Sequence, residues 1–222
     1  SRGLGDVYKR QVYDNTLENF DSISKLLVGC SLEVEGTLVK SSGNQDVEVK
    51  ADKITLLGEC PEDYPIQPKR HTKEFLREQA YLRARTNMFQ AVFRIRSLAA
   101  QAIHKYFGDR GYVYVNTPII TASDCEGAGE MFQVTTLDLN KIVKSGKVEY
   151  DKDFFGKKAG LTVSGQLEGE TYAMAFSKIY TFGPTFRAEN SNTKTHMSEF
   201  WMIEPEIAFC DINGLMDIEE DM

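Results

Sequence analysis

The sequence contains no long hydrophobic run. Nowhere in its 222 residues do apolar side chains approach the roughly 18 in succession that a membrane-spanning helix needs. The opening residues, Ser1 to Gln11, lack the apolar centre of a secretory leader. A cytoplasmic protein with no membrane association is the expectation. Cysteine is sparse: Cys30, Cys60, Cys125 and Cys210 lie far apart, form no Cys-x-x-Cys pair and have no histidine at metal-ligand spacing. That pattern indicates neither a zinc site nor a disulfide framework and leaves four reduced thiols. Positive charge is in deficit, with 26 Lys+Arg against 33 Asp+Glu and a net charge of −7. A nucleic acid would have to be met by a local basic face, because the overall field repels it. With 41% hydrophobic and 27% charged residues, the composition is that of a globular protein of one or two domains, not a disordered or collagen-like chain.

Residues 1–11 fit no pattern that follows them and are set aside as non-native sequence, since the run Asp6-Val7-Tyr8-Lys9-Arg10-Gln11 back-translates into a sequencing-adapter end. From Cys30 to Leu57 apolar residues alternate, with Leu32, Val34 and Leu38 in one run and Val47, Val49, Ile54 and Leu56 in the next. The turn-forming Ser41-Ser42-Gly43-Asn44 lies between them, which predicts a β-hairpin or meander. Pro61, Pro65 and Pro68 then mark a linker over 61–74, where missing amide donors and a fixed φ disfavour sheet and helix alike. A domain boundary is expected there.

Beyond Lys73 the period becomes helical. Met88, Val92, Ile95, Ala99, Ile103 and Tyr106 recur every three or four residues, and Gly108 and Gly111 are expected to close the helix. Tyr112-Val113-Tyr114-Val115 reads as a strand ended by Pro118. Residues 138–160, rich in Lys, Asp and Gly, read as an inserted surface segment. A second hairpin follows, Ile179–Glu189 and Glu199–Phe209, around the turn-favouring residues 190–195.

Side chains alternate across a strand, so Trp201, Ile203, Pro205, Ile207 and Phe209 share one face, expected to be core. Phe200, Met202, Glu204 and Glu206 share the other, and Arg187 and Glu189 share a face of the partner strand. An arginine fixed on a strand suits phosphate, an aromatic ring suits a base, carboxylates suit an amine or a divalent cation, and His196 in the loop suits a more distant phosphate. The same residues also fit a plain structural reading, in which Arg187 pairs with Glu189 and Phe200 is core.

These residues carry a resemblance. Thr185-Phe186-Arg187-Ala188-Glu189-Asn190-Ser191-Asn192-Thr193 and His196-Met197-Ser198-Glu199-Phe200 resemble motif 2 of the class II aminoacyl-tRNA synthetases, and the Pro118 segment resembles motif 1. The wording Ser123-Asp124-Cys125-Glu126-Gly127-Ala128-Gly129-Glu130-Met131-Phe132, Val163-Ser164-Gly165-Gln166-Leu167 and Phe200-Trp201-Met202-Ile203-Glu204-Pro205-Glu206 is similar to the asparaginyl branch. It implies an α+β fold: a partial N-terminal OB-fold β-barrel over 12–60, then an incomplete class II antiparallel sheet flanked by helices over 75–222. It implies a ligase using ATP and Mg²⁺, with asparagine and tRNA(Asn) as substrates and a homodimer built on motif 1 and Pro118. Arg187 would hold the α-phosphate, Phe200 would stack on adenine, Glu189 would lie near adenine and His196 near the outer phosphates. Glu126, Ser164, Gln166, Glu170 and Glu204 would line the amino-acid pocket.

The related aspartyl enzymes have a Lys five residues after the Ser of the Ser164 segment; here that position is Gly169. Glu170 beside it would accept an amide NH₂ and repel a carboxylate, unless it is merely a first-turn acid of the next helix. Motif 3 and the family's metal-binding carboxylates would fall beyond Met222, so the chain alone is expected to be inactive and prone to aggregate along open sheet edges. Three rivals stand beside this reading: an aspartyl-tRNA synthetase, an ammonia-dependent asparagine synthetase without an anticodon domain, and a non-catalytic paralogue binding RNA or a partner.

Overall fold

The structure, a computed structural model, describes residues 11–43, 46–125, 127, 129–191, 193 and 195–222. The chain divides into two compact units, Ser1–Ile95 and Arg96–Met222. The division falls inside a continuous helix and not in the proline-rich segment.

In the first unit the alternating runs form β2 (Ser31–Lys40) and β3 (Val47–Gly58), paired antiparallel from Ser31↔Gly58 to Lys40↔Val47 with shifts at Ser31/Leu32 and Glu35/Gly36. β1 (Gln11–Val12) lies parallel to β3 through Gln11↔Val49, so the sheet order is β1-β3-β2. Gln11, counted with the residues set aside above, thus takes part in the sheet. A short helix, α1 (Phe20–Ile23), closes over β3, with Leu17, Ile23, Ala51 and Ile54 as a small core and the Asn19 side chain donating to the Ile54 carbonyl at 2.7 Å. The expected barrel is not seen: among the described residues the sheet is open. Three strands, one of them two residues long, cannot close on themselves.

The proline-rich segment is irregular and leads into α2 (Lys73–Glu78), where the Thr72 hydroxyl caps the first turn by accepting the Phe75 amide. The helical period beyond it is realised as α3 (Asn87–Asp109). Its terminus is a Schellman turn: the Tyr112 amide donates to the Phe107 carbonyl, the Gly111 amide donates to that of Gly108, and Gly111 has φ +76. The Phe107 and Tyr112 rings meet across the turn, 5.1 Å between centroids. Gly111, not Gly108, ends the helix, because only the left-handed position demands glycine.

The apolar stripe of α3 has two fates. In the second unit Ile103 and Tyr106 pack against a core of Phe107, Tyr112, Tyr180 and Phe182. In the first, Met88, Val92 and Ile95 are exposed.

In the second unit β8 (Lys178–Phe186) and β9 (Glu199–Ile207) form the predicted hairpin, registered from Lys178↔Ile207 to Phe186↔Glu199. β4 (Val113–Tyr114) adds to β8 in parallel, giving the order β4-β8-β9. A smaller antiparallel sheet joins β5 (Ile120–Thr121), β6 (Gln133–Val134) and β7 (Ala159–Leu161). Residues 138–160 are more ordered than their composition suggests. Asp138 caps α4 (Leu139–Ser145), Gly146 closes it at φ +65, and Asp153 accepts the Thr136 amide and hydroxyl, each at 2.9 Å.

The two faces of the β8–β9 hairpin are covered differently. Tyr180, Phe182, Ile203 and Ile207 face the α3 core. Trp201, predicted on that face, meets Phe182 edge-on yet stays exposed, and Phe209 lies past the strand end, fully exposed at φ 60. On the opposite face α5 (Gln166–Phe176) covers one end, where Ala173 packs with Val115 and Ile179. α6 (Ile212–Asp221) follows, capped by Asp211.

Candidate active site

The uncovered end of that second face is the candidate site. β8 contributes Thr181, Gly183 and Thr185, set opposite Glu204, Met202 and Phe200 of β9. The pairing runs on past the strand end, since the Arg187 amide donates to the Ser198 carbonyl at 3.1 Å. Arg187 is half-buried. Its Nε and Nη2 each donate to the Val163 carbonyl at 3.4 Å, and its guanidinium carbon lies 5.5 Å from the centre of the Phe200 ring. Among the described residues Arg187 makes no ion pair, so the structural reading in which Glu189 neutralises it does not hold. Gly129 lets a neighbouring segment come close: a Cβ there would lie 3.0 Å from Arg187 Cγ and Cδ.

Arg187, Glu189, His196 and Phe200, the four residues singled out for a nucleotide, line one cavity of about 270 Å³ together with Ser191, Thr195, Met197 and Ser198. His196 sits in the loop, its ring and amide both bonded to the Thr193 hydroxyl. Glu189 also borders a larger hollow of about 840 Å³ with Asp124, Gly129, Glu130, Met131 and Lys158. An unpaired cation, a ring face and two open walls suit an anionic ligand with a planar base.

The amino-acid residues fall into two groups. Gln166 and Glu170 lie one turn apart on α5, with Gln166 Nε2 donating to Glu170 Oε1 at 3.0 Å. Glu170 is not the first-turn acid; that place belongs to Glu168. Ser164 is buried, and it and Glu204 bond to each other and to the chain around them. Glu126 lies outside the described residues. Pro118 is exposed after β4.

Glu206, placed on the carboxylate-bearing face from the sequence but given no role in the amino-acid pocket, packs against Gly169: a Cβ at 169 would lie 3.4 Å from Glu206 Cγ. Burial first, then the neighbouring Glu170 and Glu204, push the Glu206 carboxyl up to about 7. The spot where a lysine would stand therefore adjoins Glu206, which in turn feels Glu170 and Glu204.

Comparison with known proteins follows the same lines. The profile of the tRNA synthetases class II (D, K and N) matches residues 72–222, well over half of the chain. The chain belongs to the class II tRNA synthetases. Similar curated relatives of this synthetase chain are the asparagine–tRNA ligases of Clostridium tetani, 61% identical over 214 residues, and Acholeplasma laidlawii, 61% identical over 219 residues. They cover 95% and 97% of the chain, which spans about half their length, 46% in each case. Among solved structures, the asparaginyl-tRNA synthetase from Pyrococcus horikoshii complexed with asparaginyl-adenylate matches with a TM-score of 0.79 and 26% identity, over 96% of this chain and 46% of that one. The asparaginyl-tRNA synthetase of Entamoeba histolytica shares the fold at a TM-score of 0.77 and 22% identity.

Within this synthetase chain, three contributors to the site had no readable sequence signal: the Val163 carbonyl that holds Arg187, buried Thr181 under Glu204, and the raised pKa of Glu206. Gly129 had one, in its glycine-rich run. Among the described residues no cluster of three His, Cys, Asp or Glu side chains could hold a metal ion. The implied Mg²⁺ thus finds no ligand set among the described residues. No helix of the described residues is long and apolar enough to cross a membrane.

Proposed function

We propose that the protein carrying this chain is an asparagine–tRNA ligase, which joins asparagine to ATP as asparaginyl-adenylate and then transfers the aminoacyl group to tRNA(Asn). The observation that carries this reading is the single cavity shared by Arg187, Phe200, His196 and Glu189, on the face of the hairpin against which α5, the helix carrying Gln166 and Glu170, packs. The names of the relatives support it. Arg187 holds the α-phosphate, its fixed charge placed where negative charge grows at phosphorus, which stabilises the transition state without moving a proton. Phe200 stacks on adenine, Glu189 lies near its amine, and His196 meets the outer phosphates. Gln166 and Glu126 serve the α-amino group of asparagine.

Choice of amide over carboxylate follows from charge. With Gly169 in place of a cation, an aspartate carboxylate would find no counter-charge beside Glu170 and would add a further negative charge next to a Glu206 already pushed to about 7, whereas an amide NH₂ finds acceptors. This disfavours the aspartyl alternative. The hairpin of residues 31–58 is read as part of an OB-fold that binds anticodon bases, with 61–74 as linker and 75–222 as the first part of the catalytic domain. The exposed apolar stretch of α3 and Pro118 are read as the homodimer face, an apolar surface of the kind partners cover. A cytoplasmic location belongs to the same reading.

Amino-acid-dependent ATP–pyrophosphate exchange by the full reading frame is the test. Exchange with asparagine and not aspartate is the expected outcome. Exchange with aspartate would overturn the Gly169 argument, and none with either would leave the non-catalytic paralogue.

A further inference from the structure

Glu204 is the most heavily bonded acid on the site face. Its Oε1 accepts the Ser164 hydroxyl and, at 3.2 Å, the Gly165 amide; its Oε2 accepts that same amide at 3.0 Å and the Thr181 hydroxyl at 2.8 Å. An ionised carboxylate offers about four lone-pair positions. These contacts engage both oxygens twice, which leaves little of the group for a ligand.

What the carboxylate holds is the start of α5. Gly165 is the N-cap residue and has no side chain with which to cap, although the first amides of a helix lack partners within it. Glu204 reaches in from another strand and takes the Gly165 amide, while the Ser164 hydroxyl that it fixes accepts the Gln166 amide at 3.1 Å. The fit admits nothing larger. A Cβ at 165 would lie 2.8 Å from Thr117 Oγ1 and 3.1 Å from both Glu204 Oε2 and Thr181 Oγ1. Thr117, Thr181 and Glu204 thus converge on one turn from the segment after β4, from β8 and from β9.

We propose that Glu204 is a positioning residue for the amino acid: it fastens the 164–166 turn to β9 and so sets where Gln166 and Glu170 stand relative to Phe200, four residues along the same strand. This rests on the reading above that Gln166 and Glu170 meet asparagine. It replaces the expectation that Glu204 and Ser164 touch the amino acid themselves. The nucleotide face needs no such fastening, because Arg187 and Phe200 belong to the hairpin itself.

The test uses Glu204→Gln and Glu204→Ala in the full-length protein, with two readouts. Removing a charged acceptor from a buried network is expected to raise the KM for asparagine in pyrophosphate exchange by roughly tenfold or more. The KM for ATP should stay within about twofold. Amide hydrogen exchange is expected to quicken at 165–169 with β8 and β9 still protected. Glu204→Asp should recover part of the asparagine KM. A lowered melting temperature with an unchanged asparagine KM, or KM values for ATP and asparagine rising in step, would overturn the proposal. If the unaltered protein shows no asparagine-dependent exchange, the functional reading falls, and the fastening is judged by hydrogen exchange alone. Unchanged protection at 165–169 in Glu204→Ala would then refute it.

Discussion

The β8–β9 hairpin presents one backbone to two environments. On the α3 side, Tyr180, Phe182, Ile203 and Ile207 meet Phe107, and the Phe107 and Tyr180 rings stack at 4.5 Å between centroids. On the α5 side the same strands display Thr181, Gly183, Thr185, Phe200, Met202, Glu204 and Glu206. Apart from the Tyr180 hydroxyl, which lies 2.7 Å from His104 Nδ1, the first face is held by volume and shape, where contacts are non-directional and a well-fitting apolar side chain serves. The second is held by matched donors and acceptors, where each member matters because its partner is left unpaired without it. A fold-bearing face tolerates conservative change; a site-bearing face does not.

The largest expected effect tests the first face. Phe107 is fully buried, and Phe107→Ala should lower unfolding stability by about 3–5 kcal/mol, read as a shift in the urea midpoint. Phe107→Leu should lose clearly less, and equal losses would break the comparison.

Next comes the guanidinium. Arg187→Gln is expected to slow asparagine-dependent exchange by about 10²–10³-fold, the scale for removing one group that stabilises transition-state charge. Its melting temperature should barely move, since among the described residues the guanidinium makes only long contacts, to the Val163 carbonyl, the Met202 sulfur and the Phe200 ring. A large loss of stability with little loss of rate would reverse the assignment of the two faces.

A smaller effect should follow Gly169→Lys. The added Cβ meets Glu206 Cγ and Ile179 Cδ1 at 3.4 Å, which is ordinary contact, so the fold should survive. An ammonium among Glu170, Glu204 and Glu206 should cut the kcat/KM for asparagine by roughly tenfold or more. Unchanged asparagine activity would show that this corner is not the amino-acid pocket.

The smallest effect is a pH dependence. Because the Glu206 pKa rises from 4.5 to about 7 on folding, the folded state keeps a proton that the unfolded chain has lost. The stabilising contribution of Glu206 is therefore complete below about pH 4.5 and is lost as pH rises through about 7. Glu206→Gln, which imitates the protonated acid, should melt like the parent at pH 4 and above it at pH 8. A difference between the two proteins that stays constant with pH would refute this.

Much of the fold was legible because periodicity reports burial. Alternation marked both hairpins, a helical period marked α3, and the start of β9 at Glu199 was read to the residue. Legibility failed where a residue's surroundings come from elsewhere in the chain. Trp201 and Phe209 follow the apolar period, yet Trp201 is only half covered, by Phe182 among others, and Phe209 stays fully exposed. Residues 138–160 carry no periodicity, yet caps and turns order them, because a cap acts through one local hydrogen bond and leaves no repeat.

The four residues proposed for a nucleotide could be grouped in advance because Arg187, Glu189, His196 and Phe200 lie within fourteen positions on one hairpin, where period and turn place them together. By itself, then, the sequence determined the two hairpins, the long helix and the grouping of Arg187, Glu189, His196 and Phe200, all consequences of short-range spacing. Tertiary structure alone decided that Arg187 has no ion pair among the described residues, that Glu204 caps a helix distant in sequence, and that Glu206 holds its proton near neutrality. Those depend on desolvation and on partners about 24 to 40 residues away, which no local pattern encodes.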